Sequence, residues 1–341
     1  MFNIRPIDNS ETDYEKATTV WNAVWLHHQQ TAAQVHHYMA QPSSKQPTLL
    51  FLAETADGTP IGQAAARQTT HGDAPLKLFV SVSVHPDWQQ RGIGRTLYER
   101  LLAETDAQAP VALITNTLED RHRTRRLLED DGFVQKMRAP ISEIAVDEFD
   151  SAEFIPTLQA VADRNITITP FSQLIHELGE DEAWSRMYEM RIDIARDLPW
   201  YEPQEPPPYD EWRQARSTKP TLLPDAMFVA LHRGNWVGIS ELYSRLAMPT
   251  LLDQGLTGVR RAYRRMGLAT ALKLRTLDYA RRYGATTIRT DNEENNPMYQ
   301  LNLRLGFRPK PGFLFYEKRL RGEAATQGFT EDGTELHREE E

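Results

Sequence analysis

The sequence predicts an α/β protein made of two tandem copies of one unit. A strand runs into a glycine-bearing loop twice, at 77–94 and again at 251–269. A helix pattern, a short apolar strand and a second helix pattern follow each loop, and this second helix ends in Gly-Phe at 132–133 and at 306–307. The length of 341 residues suits two domains of roughly 150 residues each. Repetition at this period indicates a domain duplication and not a solenoid.

The elements before each loop repeat as well. Each half opens on an extended run with a proline near its end, at 2–7 and at 165–171. Two strands separated by a glycine and polar residues follow in each half, which is typical of a hairpin. The predicted strand pairs are 49–55 with 61–68 and 227–235 with 236–244, and the short strands behind the loops are 111–115 and 286–290.

These elements predict the domain organisation. An N-terminal domain is expected over 1–145, a linker over 146–164 and a C-terminal domain over 165–321. The segment 322–341 is polar and acidic and lacks periodic apolar residues, a composition typical of disorder. We therefore predict a disordered acidic tail there.

Composition and charge exclude several classes of protein. The formal net charge of −9 argues against a nucleic acid bound through bulk electrostatics. The chain contains no cysteine, so disulfides, thiolate nucleophiles and cysteine-ligated zinc are excluded. No run approaches the roughly 18–20 consecutive apolar residues of a membrane span, and the N-terminus lacks a signal peptide's apolar region. These features predict a cytoplasmic protein that binds neither nucleic acid nor membrane.

The second glycine loop gathers positive charge in an acidic chain. Residues 260–273 read RRAYRRMGLATALK, with four arginines and one lysine around Gly267. The following helix is predicted to begin around Arg265–Gly267 and to stop at Gly284. The first N–H groups of a helix lack acceptors, and a glycine there lets an anion approach the backbone. The pattern fits a phosphate or pyrophosphate site. A solvated basic helix start is the alternative, but a second copy of the loop favours the anion site.

Both loops resemble the pyrophosphate-binding signature of the GCN5-related N-acetyltransferases, Gln/Arg-x-x-Gly-x-Gly/Ala. The matching residues are Gln89–Gly94 and Arg264–Ala269. The resemblance implies that each half is a mixed, mostly antiparallel sheet with flanking helices, whose two central strands splay apart to hold acetyl-CoA. The residues that it assigns to coenzyme A are Val84, Gln89, Gln90, Arg91, Gly92, Ile93, Gly94 and Arg95 in the first half, and Thr257, Gly258, Val259, Arg264, Arg265, Met266, Gly267, Leu268, Ala269, Thr270, Asn292 and Asn296 in the second.

The two halves differ where acid–base chemistry is expected. Many family members carry a tyrosine as general acid on the helix that follows the short strand behind the loop. The resemblance gives this role to Tyr299. The first half has Arg125 at the corresponding position. A carboxylate on a central strand serves as general base in such enzymes, which points to Glu241, where the first half has Ala65. Asp253 competes with Glu241 for this role. A packed aromatic and an exposed strand glutamate are the alternative interpretations of Tyr299 and Glu241.

The acceptor is expected beside the second loop. The proline-rich segment 197–212 lies between two helical patterns, where the family usually covers its acceptor, and its aromatic rings offer faces to apolar or cationic groups. Packing of these rings on the domain is the alternative. The resemblance assigns Asn292 and Asn296 to coenzyme A, and the alternative is that they cap a helix or stabilise a loop. The residues predicted to bind the acceptor are Trp200, Tyr201, Tyr209 and Asp253.

The sequence thus predicts a tandem N-acetyltransferase whose C-terminal half is active. It would move the acetyl group from acetyl-CoA to a primary amine of a small molecule, by direct transfer in a ternary complex. The N-terminal half is predicted to be catalytically degenerate, and it is either a structural partner that still binds coenzyme A or a domain that uses other residues. The architecture resembles mycothiol synthase, so a mycothiol-synthase-like enzyme is one alternative, and a non-catalytic acyl-CoA-binding regulatory protein is another. No metal is expected, because the histidines at 27, 28, 36 and 37 lack companion carboxylates and are interpreted as surface or packing residues; homodimerisation is left open.

Overall fold

The structure is a computed structural model that describes residues 2–40, 48–69, 75–199 and 206–320. The predicted disordered tail at 322–341 lies outside these residues. Within the described ranges the elements of the first half recur in the same order in the second, which has one more helix. None of the described helices has the length and apolar character needed to cross a membrane.

The two halves are joined by one helix. The N-terminal half consists of β1 (Phe2–Pro6), α1 (Glu11–Val24), α2 (Ala32–Ala40), β2 (Leu49–Thr55), β3 (Pro60–Gln68), β4 (Lys77–Val84), α3 (Ile93–Asp106), β5 (Ala112–Leu118), α4 (His122–Asp130) and β6 (Val134–Ala145). The joining helix is α5 (Ile155–Ala162), inside the predicted linker. The C-terminal half consists of β7 (Ile166–Pro170), α6 (Phe171–Leu178), α7 (Glu180–Ala195), α8 (Tyr209–Ser217), β8 (Leu222–His232), β9 (Asn235–Ser244), β10 (Leu251–Val259), α9 (Leu268–Tyr283), β11 (Thr287–Asp291), α10 (Pro297–Arg304) and β12 (Arg308–Arg319).

The described strands form one sheet in the order β1-β2-β3-β4-β5-β12-β6-β11-β10-β9-β8-β7. Two of the neighbouring pairs, β4 with β5 and β10 with β11, are parallel, and the other pairs are antiparallel. The sheet is therefore mixed and mostly antiparallel, which confirms the predicted fold class.

The last strands of the two halves are exchanged. β12 ends the C-terminal half but lies between β5 and β6, and it pairs with β5 over Phe313–Arg319. β6 ends the N-terminal half but pairs with β11 over Ile141–Ala145. Leu314 and Tyr316 of β12 are buried in the core of the N-terminal half. The two repeats are consecutive in sequence, yet each one completes the sheet of the other.

A fork opens in each half between its two parallel strands. β4 and β5 pair over Lys77–Phe79 and then diverge. β10 and β11 pair over Leu251–Asp253 and then diverge in the same way, so that Thr257–Val259 pairs with β9 alone. These forks are the splayed central strands that the resemblance implied.

Helices cover both faces of the sheet. In the N-terminal half, Leu97 of α3 and Leu128 of α4 pack in one core, whereas Ala17 of α1 packs with Leu52 on the opposite face. In the C-terminal half, α9 and α10 share one face and α6, α7 and α8 cover the other. Each fork therefore lies between a helix pair on one face and a separate helical layer on the other.

The ends of α9 follow from two glycines. Gly267 precedes the helix with φ of 80° and Gly284 ends it with φ of 83°, a region that residues with a Cβ rarely adopt. The helix begins at Leu268, next to the predicted start around Arg265–Gly267, and it stops at the predicted glycine. The glycine loop is thus held between the end of β10 and the first turn of α9.

We expect the two halves to unfold as one unit, because separating them would remove β12 from the N-terminal core and expose the edges of β5 and β6. Thermal unfolding followed by tryptophan fluorescence and by circular dichroism should give one coincident transition, with equal calorimetric and van't Hoff enthalpies. Two well-separated transitions would contradict a shared sheet.

Candidate active site

The two glycine loops have the same backbone. Gln90 and Arg265 adopt φ of 64° and 61°, and Gly92 and Gly267 adopt φ of 81° and 80°. Left-handed residues alternating in this way turn N–H groups toward one side and form a concave anion site. Each loop leads directly into α3 or α9, whose first N–H groups have no acceptor within the helix. Both loops therefore have the backbone geometry that binds a phosphate group.

Two arginines of the second glycine loop are paired with a carboxylate of this chain. Arg261 and Arg264 both donate hydrogen bonds to the carboxylate of Asp197, just beyond α7, and these bonds hold the pKa of that carboxyl well below its usual range. Arg264 Nε also donates to the Val259 carbonyl at 3.0 Å. Arg265 is exposed and makes no side-chain bond within the described ranges, so its guanidinium is free for a further anion.

Side chains of the first glycine loop, Gln89–Gly94, form hydrogen bonds that stabilise its turn. Gln89 Nε2 donates to the Val84 carbonyl at 3.1 Å. Arg91 donates to the Asp87 carbonyl at 3.0 Å, and its guanidinium lies 4.6 Å from the centre of the Trp88 ring. The remaining residues that continue this turn into α3 are Gln90, Gly92, Ile93, Gly94 and Arg95.

Helix α5 supports the second loop only. A Cβ at Gly267 would lie 2.6 Å from Thr157 Cγ2 of α5, whereas a Cβ at Gly92 would meet nothing within 4 Å. Val161 of α5 packs in the same core as Leu268. The remaining predicted residues of this loop, Met266, Ala269 and Thr270, are partly buried. The segment predicted as a linker is therefore part of the wall around the second loop.

The end of β10 presents backbone to the fork. Thr257 Oγ1 lies 2.8 Å from Ser240 Oγ, and Gly258 pairs with Ile239 of β9. A Cβ at Gly258 would collide with Ile194 of α7, so glycine is required for this close approach. One edge of the segment is bonded to β9, and the other faces the opening where β11 has diverged.

A bulge distinguishes β10 from β4. The pairing of β9 with β10 shifts register between Gln254 and Thr257, whereas β3 and β4 pair without a shift. Phe79 and Asp253 are the last residues of β4 and β10 that pair across their forks, so the structure makes them counterparts. The position held by a phenyl ring in the first fork is a carboxylate in the second.

The rest of the second fork is polar as well. Asp253 pairs across it with Arg289, whereas the matching position on β5 is Ile114. Two residues further along β11 lies Asp291, and its counterpart on β5 is Asn116. Residues two apart on a strand share a face, so Arg289 and Asp291 lie on the same side of the sheet.

Two carboxylates meet at this fork. Leu252 and Ile288 are buried against α9, so Asp253 and Asp291 face the opposite layer. Asp253 accepts a hydrogen bond from Arg245 Nε at 2.7 Å. Burial and, secondly, the charge of Asp253 raise the pKa of Asp291 to about 6, although Arg245 opposes this. Asp291 is nevertheless exposed to solvent. A raised pKa together with solvent exposure is what we expect of a carboxyl group that lies deep in a cleft open to water.

Glu241 is held in an ion-paired cluster. The residue is 1% exposed, and its carboxylate accepts from Arg191 Nη1 at 2.6 Å and from the Leu256 N–H at 3.1 Å. Arg216 lies 3.7 Å away. Burial would raise the pKa of this carboxyl, but the two arginines keep it below its usual value. A carboxylate stabilised in this way is a weak proton acceptor.

Tyr299 follows the second fork in the chain. It occupies the first turn of α10, which begins shortly after β11 ends, and its N–H donates to the Asn296 carbonyl at 2.9 Å. Its hydroxyl makes no hydrogen bond to the described part of the chain. The counterpart on α4, Arg125, donates to the Glu119 carbonyl at 3.3 Å. At the positions compared, the second half therefore has a tyrosine and two aspartates where the first half has Arg125, Phe79 and Asn116.

The two asparagines predicted near coenzyme A have local partners. Asn296 Oδ1 accepts from the Met298 N–H at 2.9 Å and caps α10, which is the role given as its alternative. Asn292 Oδ1 accepts from Asn302 Nδ2 at 2.7 Å. Asn302 Oδ1 is buried without a partner in the described residues.

The aromatic segment divides between described and undescribed residues. Trp200 and Tyr201 lie outside the described residues. Tyr209 begins α8, and its ring packs 5.3 Å from that of Tyr188 on α7. Trp212 packs on the same tyrosine at 5.2 Å. These two rings therefore have the packing role that was the alternative for this segment.

The loop between α1 and α2 of the N-terminal half reaches the second fork. Arg245 and Arg289 both donate to the His27 carbonyl. The ring of His28 packs 5.1 Å from Phe313, and burial, with Arg245 next in importance, lowers the pKa of His28 to about 3. His28 is thus a packing residue, as interpreted from the sequence. No group of three or more potential metal ligands occurs among the described residues.

Sequence reasoning missed Arg245 and Asp291. Asp291 directly follows the predicted strand at 286–290, where a splayed strand would deliver its side chain to the cleft, so its position was a usable signal. Arg245 follows β9 in an ordinary turn, and its approach to Asp253 depends on the pairing of β9 with β10.

Comparisons with known proteins match both repeats. The model of the Acetyltransferase (GNAT) family matches residues 12–133 and 184–307. A mycothiol acetyltransferase of Parafrankia sp. (strain EAN1pec) is 25% identical over 291 residues, covering 76% of this chain and 82% of that protein. A GCN5-related N-acetyltransferase from Sphaerobacter thermophilus, 19% identical, superimposes with a TM-score of 0.68 over 94% of this chain and 96% of that one. A tandem GNAT protein from the clavulanic acid biosynthesis pathway is 17% identical and superimposes with a TM-score of 0.70 over 94% of this chain and 98% of that one. These two structures share the fold of this chain.

Proposed function

The chain belongs to the acetyltransferase (GNAT) family and is an acyltransferase, and from this premise we propose that its C-terminal half transfers the acetyl group of acetyl-CoA to a primary amine of a small molecule. Acetyl-CoA is the acyl donor that this family generally uses. Donor and acceptor would bind together, and the amine would attack the thioester directly. The N-terminal half would contribute a second anion-binding loop and part of the acceptor cleft.

The difference between the two forks carries this proposal. At the second fork Asp253 and Asp291 lie beside Arg245. At the first fork the counterparts of the two acids are Phe79 and Asn116. Proton transfer at neutral pH needs titratable groups, and among these positions the second fork alone supplies them.

The residues around the second fork fit coenzyme A. The N–H groups of the loop and of the first turn of α9 form the concave site that a pyrophosphate needs, with Arg265 beside it. The free edge of Thr257–Val259 offers backbone donors and acceptors to the amides of the pantetheine arm. When bound, acetyl-CoA supplies the thioester that the amine attacks.

The acids and the tyrosine divide the proton transfers. The attacking amine must be neutral, so a carboxylate has to take its proton. We assign this step to Asp291, assisted by Asp253, because its raised pKa makes Asp291 a stronger base than an ordinary aspartate. The new C–N bond forms as the C–S bond breaks, and Tyr299 donates its hydroxyl proton to the departing thiolate. In this scheme Glu241 positions Arg191 and takes no proton.

The proposal is tested by incubating the protein with acetyl-CoA and a panel of primary amines. Release of free thiol and the mass of the acetylated acceptor should appear together. The panel includes the acceptor implied by the name of the mycothiol acetyltransferase relative, so that a mycothiol-synthase-like activity would be recognised. Binding of acetyl-CoA without thiol release on any amine would favour a regulatory acyl-CoA-binding protein. Transfer to thiols or hydroxyls alone would contradict the amine.

The rate is expected to rise with pH as Asp291 ionises. Its pKa of about 6 means that the acid form, which cannot accept a proton, predominates below that pH. For the wild type, kcat/KM should therefore increase through about pH 6, the midpoint that burial and, secondly, the charge of Asp253 give to Asp291. In Asp291→Asn this limb should disappear and the rate should fall by about 10²–10⁴-fold. A folded Asp291→Asn variant with an unchanged profile would remove the residue from the mechanism.

A further inference from the structure

A lysine is buried in the C-terminal half without a partner for its charge. Lys273 lies in the second turn of α9 and is 2% exposed, and its amine forms no ion pair or hydrogen bond with the described residues. The other cation among the buried residues that the structure describes, Arg289, is paired with Glu143. Burial alone lowers the pKa of Lys273 to about 7. An unpaired amine in a protein interior is costly, so a functional reason for it is expected.

The side chain of Lys273 crosses the second fork on the face that α9 and α10 cover. Thr276, one turn later in α9, donates a hydrogen bond to Gln254 Oε1 at 3.3 Å, so this part of the helix lies over β10. Lys273 Nζ lies 5.5 Å from the centre of the Phe307 ring. Phe307 belongs to the core that contains Ile288 of β11. The amine is therefore directed toward β11, whereas its helix lies over β10.

The amine lies near the closed end of the fork. Phe307 is followed by Arg308, which pairs with Glu143 of β6. Glu143 in turn pairs with Arg289 of β11. Arg289 and Asp253 are the last residues that pair across the fork before its strands diverge. The ring that Lys273 contacts is therefore close to the level at which the fork closes.

The first half has a satisfied group at the matching position. Six residues after the loop glycine stand Tyr98 in α3 and Lys273 in α9. The Tyr98 hydroxyl donates a hydrogen bond to Asp131 at 2.8 Å. The polar group at this position thus has its partner within the first half, whereas in the second half it is left for a bound molecule.

A second polar side chain next to Phe307 is also unsatisfied. Asn302 of α10 is fully buried, and its Nδ2 donates to Asn292 at 2.7 Å, whereas its Oδ1 has no partner in the part of the chain that the structure describes. The backbone carbonyl of Asn302 accepts the N–H of Phe307 at 3.0 Å. The residue of the first half that likewise lies four positions before Gly-Phe is Leu128. The floor of the second fork therefore carries two polar side chains with unused bonding capacity.

The closed end of the fork is where the sulfur of coenzyme A is expected. In the proposed function the pyrophosphate lies on the loop at Gly267, and the pantetheine amides pair with the backbone of Thr257–Val259. The arm continues from there away from the loop, and the sulfur is at its end. The proposed reaction creates one negative charge, that of the thiolate. Lys273 is a cation without an anionic partner at this end of the fork.

We propose that Lys273 lies beside the sulfur of bound coenzyme A and that its ammonium charge stabilises the thiolate as it departs. This inference rests on the proposed acetyl transfer and adds a catalytic residue to it. As the amine nitrogen bonds to the acetyl carbon, the electron pair of the C–S bond stays on the sulfur. Lys273 keeps its proton and pairs with this charge until Tyr299 protonates the sulfur. A fixed charge beside a leaving group stabilises it more strongly in a site without water than in solution.

The thiol of bound coenzyme A tests this placement without turnover. Coenzyme A is titrated in the complex by the ultraviolet absorbance of its thiolate, with the complex of S-methyl coenzyme A as the baseline. Both titrations use Gly92→Val protein, in which only the second loop is expected to bind. A free thiol has a pKa of about 8.5, and a neighbouring cation should lower that pKa by about 1 to 3. Lys273→Met keeps the length of the side chain but not its charge, so the pKa of the bound thiol should return to the free value.

The same variant separates catalysis from packing. Lys273→Met should lower the single-turnover rate by about 10²–10³-fold and leave the affinity for S-methyl coenzyme A unchanged. It should also unfold at a higher temperature than the wild type, because an unpaired amine has been removed from the interior. Tyr98→Phe, at the same position of α3, is the matched control and should change neither the thiol pKa nor the rate.

Two results would contradict the inference in different ways. A bound thiol with the same pKa in the wild type and in folded Lys273→Met would refute the place of Lys273 beside the sulfur, while the acetyl transfer stands. If the wild type binds no coenzyme A, or acetylates no amine, the proposed function itself fails and the inference with it.

Discussion

Replacing Tyr299 with phenylalanine is expected to lower kcat by about 10²–10⁴-fold, while acetyl-CoA binding changes little. The departing thiolate carries negative charge, and a phenol is a group that can donate a proton to it. The phenyl ring keeps the packing of α10. The hydroxyl has no hydrogen bond to the described part of the chain, so its removal leaves no partner unsatisfied. The loss is therefore expected in the chemical step.

Steady-state rates and single-turnover rates should both be measured, because slow product release would hide the effect. Tyr283→Phe, at the exposed end of α9, is the matched control and should behave as the wild type. A folded Tyr299→Phe enzyme with an unchanged single-turnover rate would show that the residue only packs.

The second large effect is expected at the glycine loops. Gly267→Val should weaken acetyl-CoA binding by about 10- to 100-fold and abolish most turnover, whereas Gly92→Val should leave most turnover. Both glycines have φ near 80°, so the backbone strain of the two substitutions is alike. A distorted loop no longer directs its N–H groups at the pyrophosphate. Only the second loop follows the strand that carries Asp253, so only its distortion should stop the reaction.

Packing must be separated from cofactor binding in this experiment. A side chain at Gly267 collides with Thr157 Cγ2, whereas Gly92 has open space. Thr157→Ala removes that methyl group, so the double variant Thr157→Ala with Gly267→Val relieves the collision and keeps the distorted loop. Calorimetry on this variant should still show weakened binding. Unchanged affinity in a folded variant would refute the loop as the pyrophosphate site, and loss of turnover in Gly92→Val alone would mean that the first half is the active one.

Local patterns predicted most of the fold. The strand before each loop, the helix after it and the Gly-Phe ends are short-range features that recur in both halves, and the structure has them at the expected residues. The exchange of β6 and β12 was not predicted. A strand's own pattern shows which face is buried but not which strand it pairs with, and β12 pairs with β5 of the other repeat.

The candidate site was less accessible from sequence. Glu241 was preferred over Asp253 as the base, but Arg191 lies 50 positions away in the chain and its ion pair with Glu241 cannot be read from local spacing. Asp291 gains its raised pKa from a fold that surrounds it with protein and brings Asp253 near. Such groups become a site only through long-range packing.

A crystal structure with acetyl-CoA and a slow or unreactive acceptor analogue tests the central claim most directly. We expect the thioester in the fork between β10 and β11, its pyrophosphate on the loop at Gly267, its sulfur within hydrogen-bond reach of the Tyr299 hydroxyl and the acceptor nitrogen beside Asp253 and Asp291. Acetyl-CoA bound in the fork between β4 and β5 alone, with the acceptor beside it, would contradict the assignment of acetyl transfer to the C-terminal half.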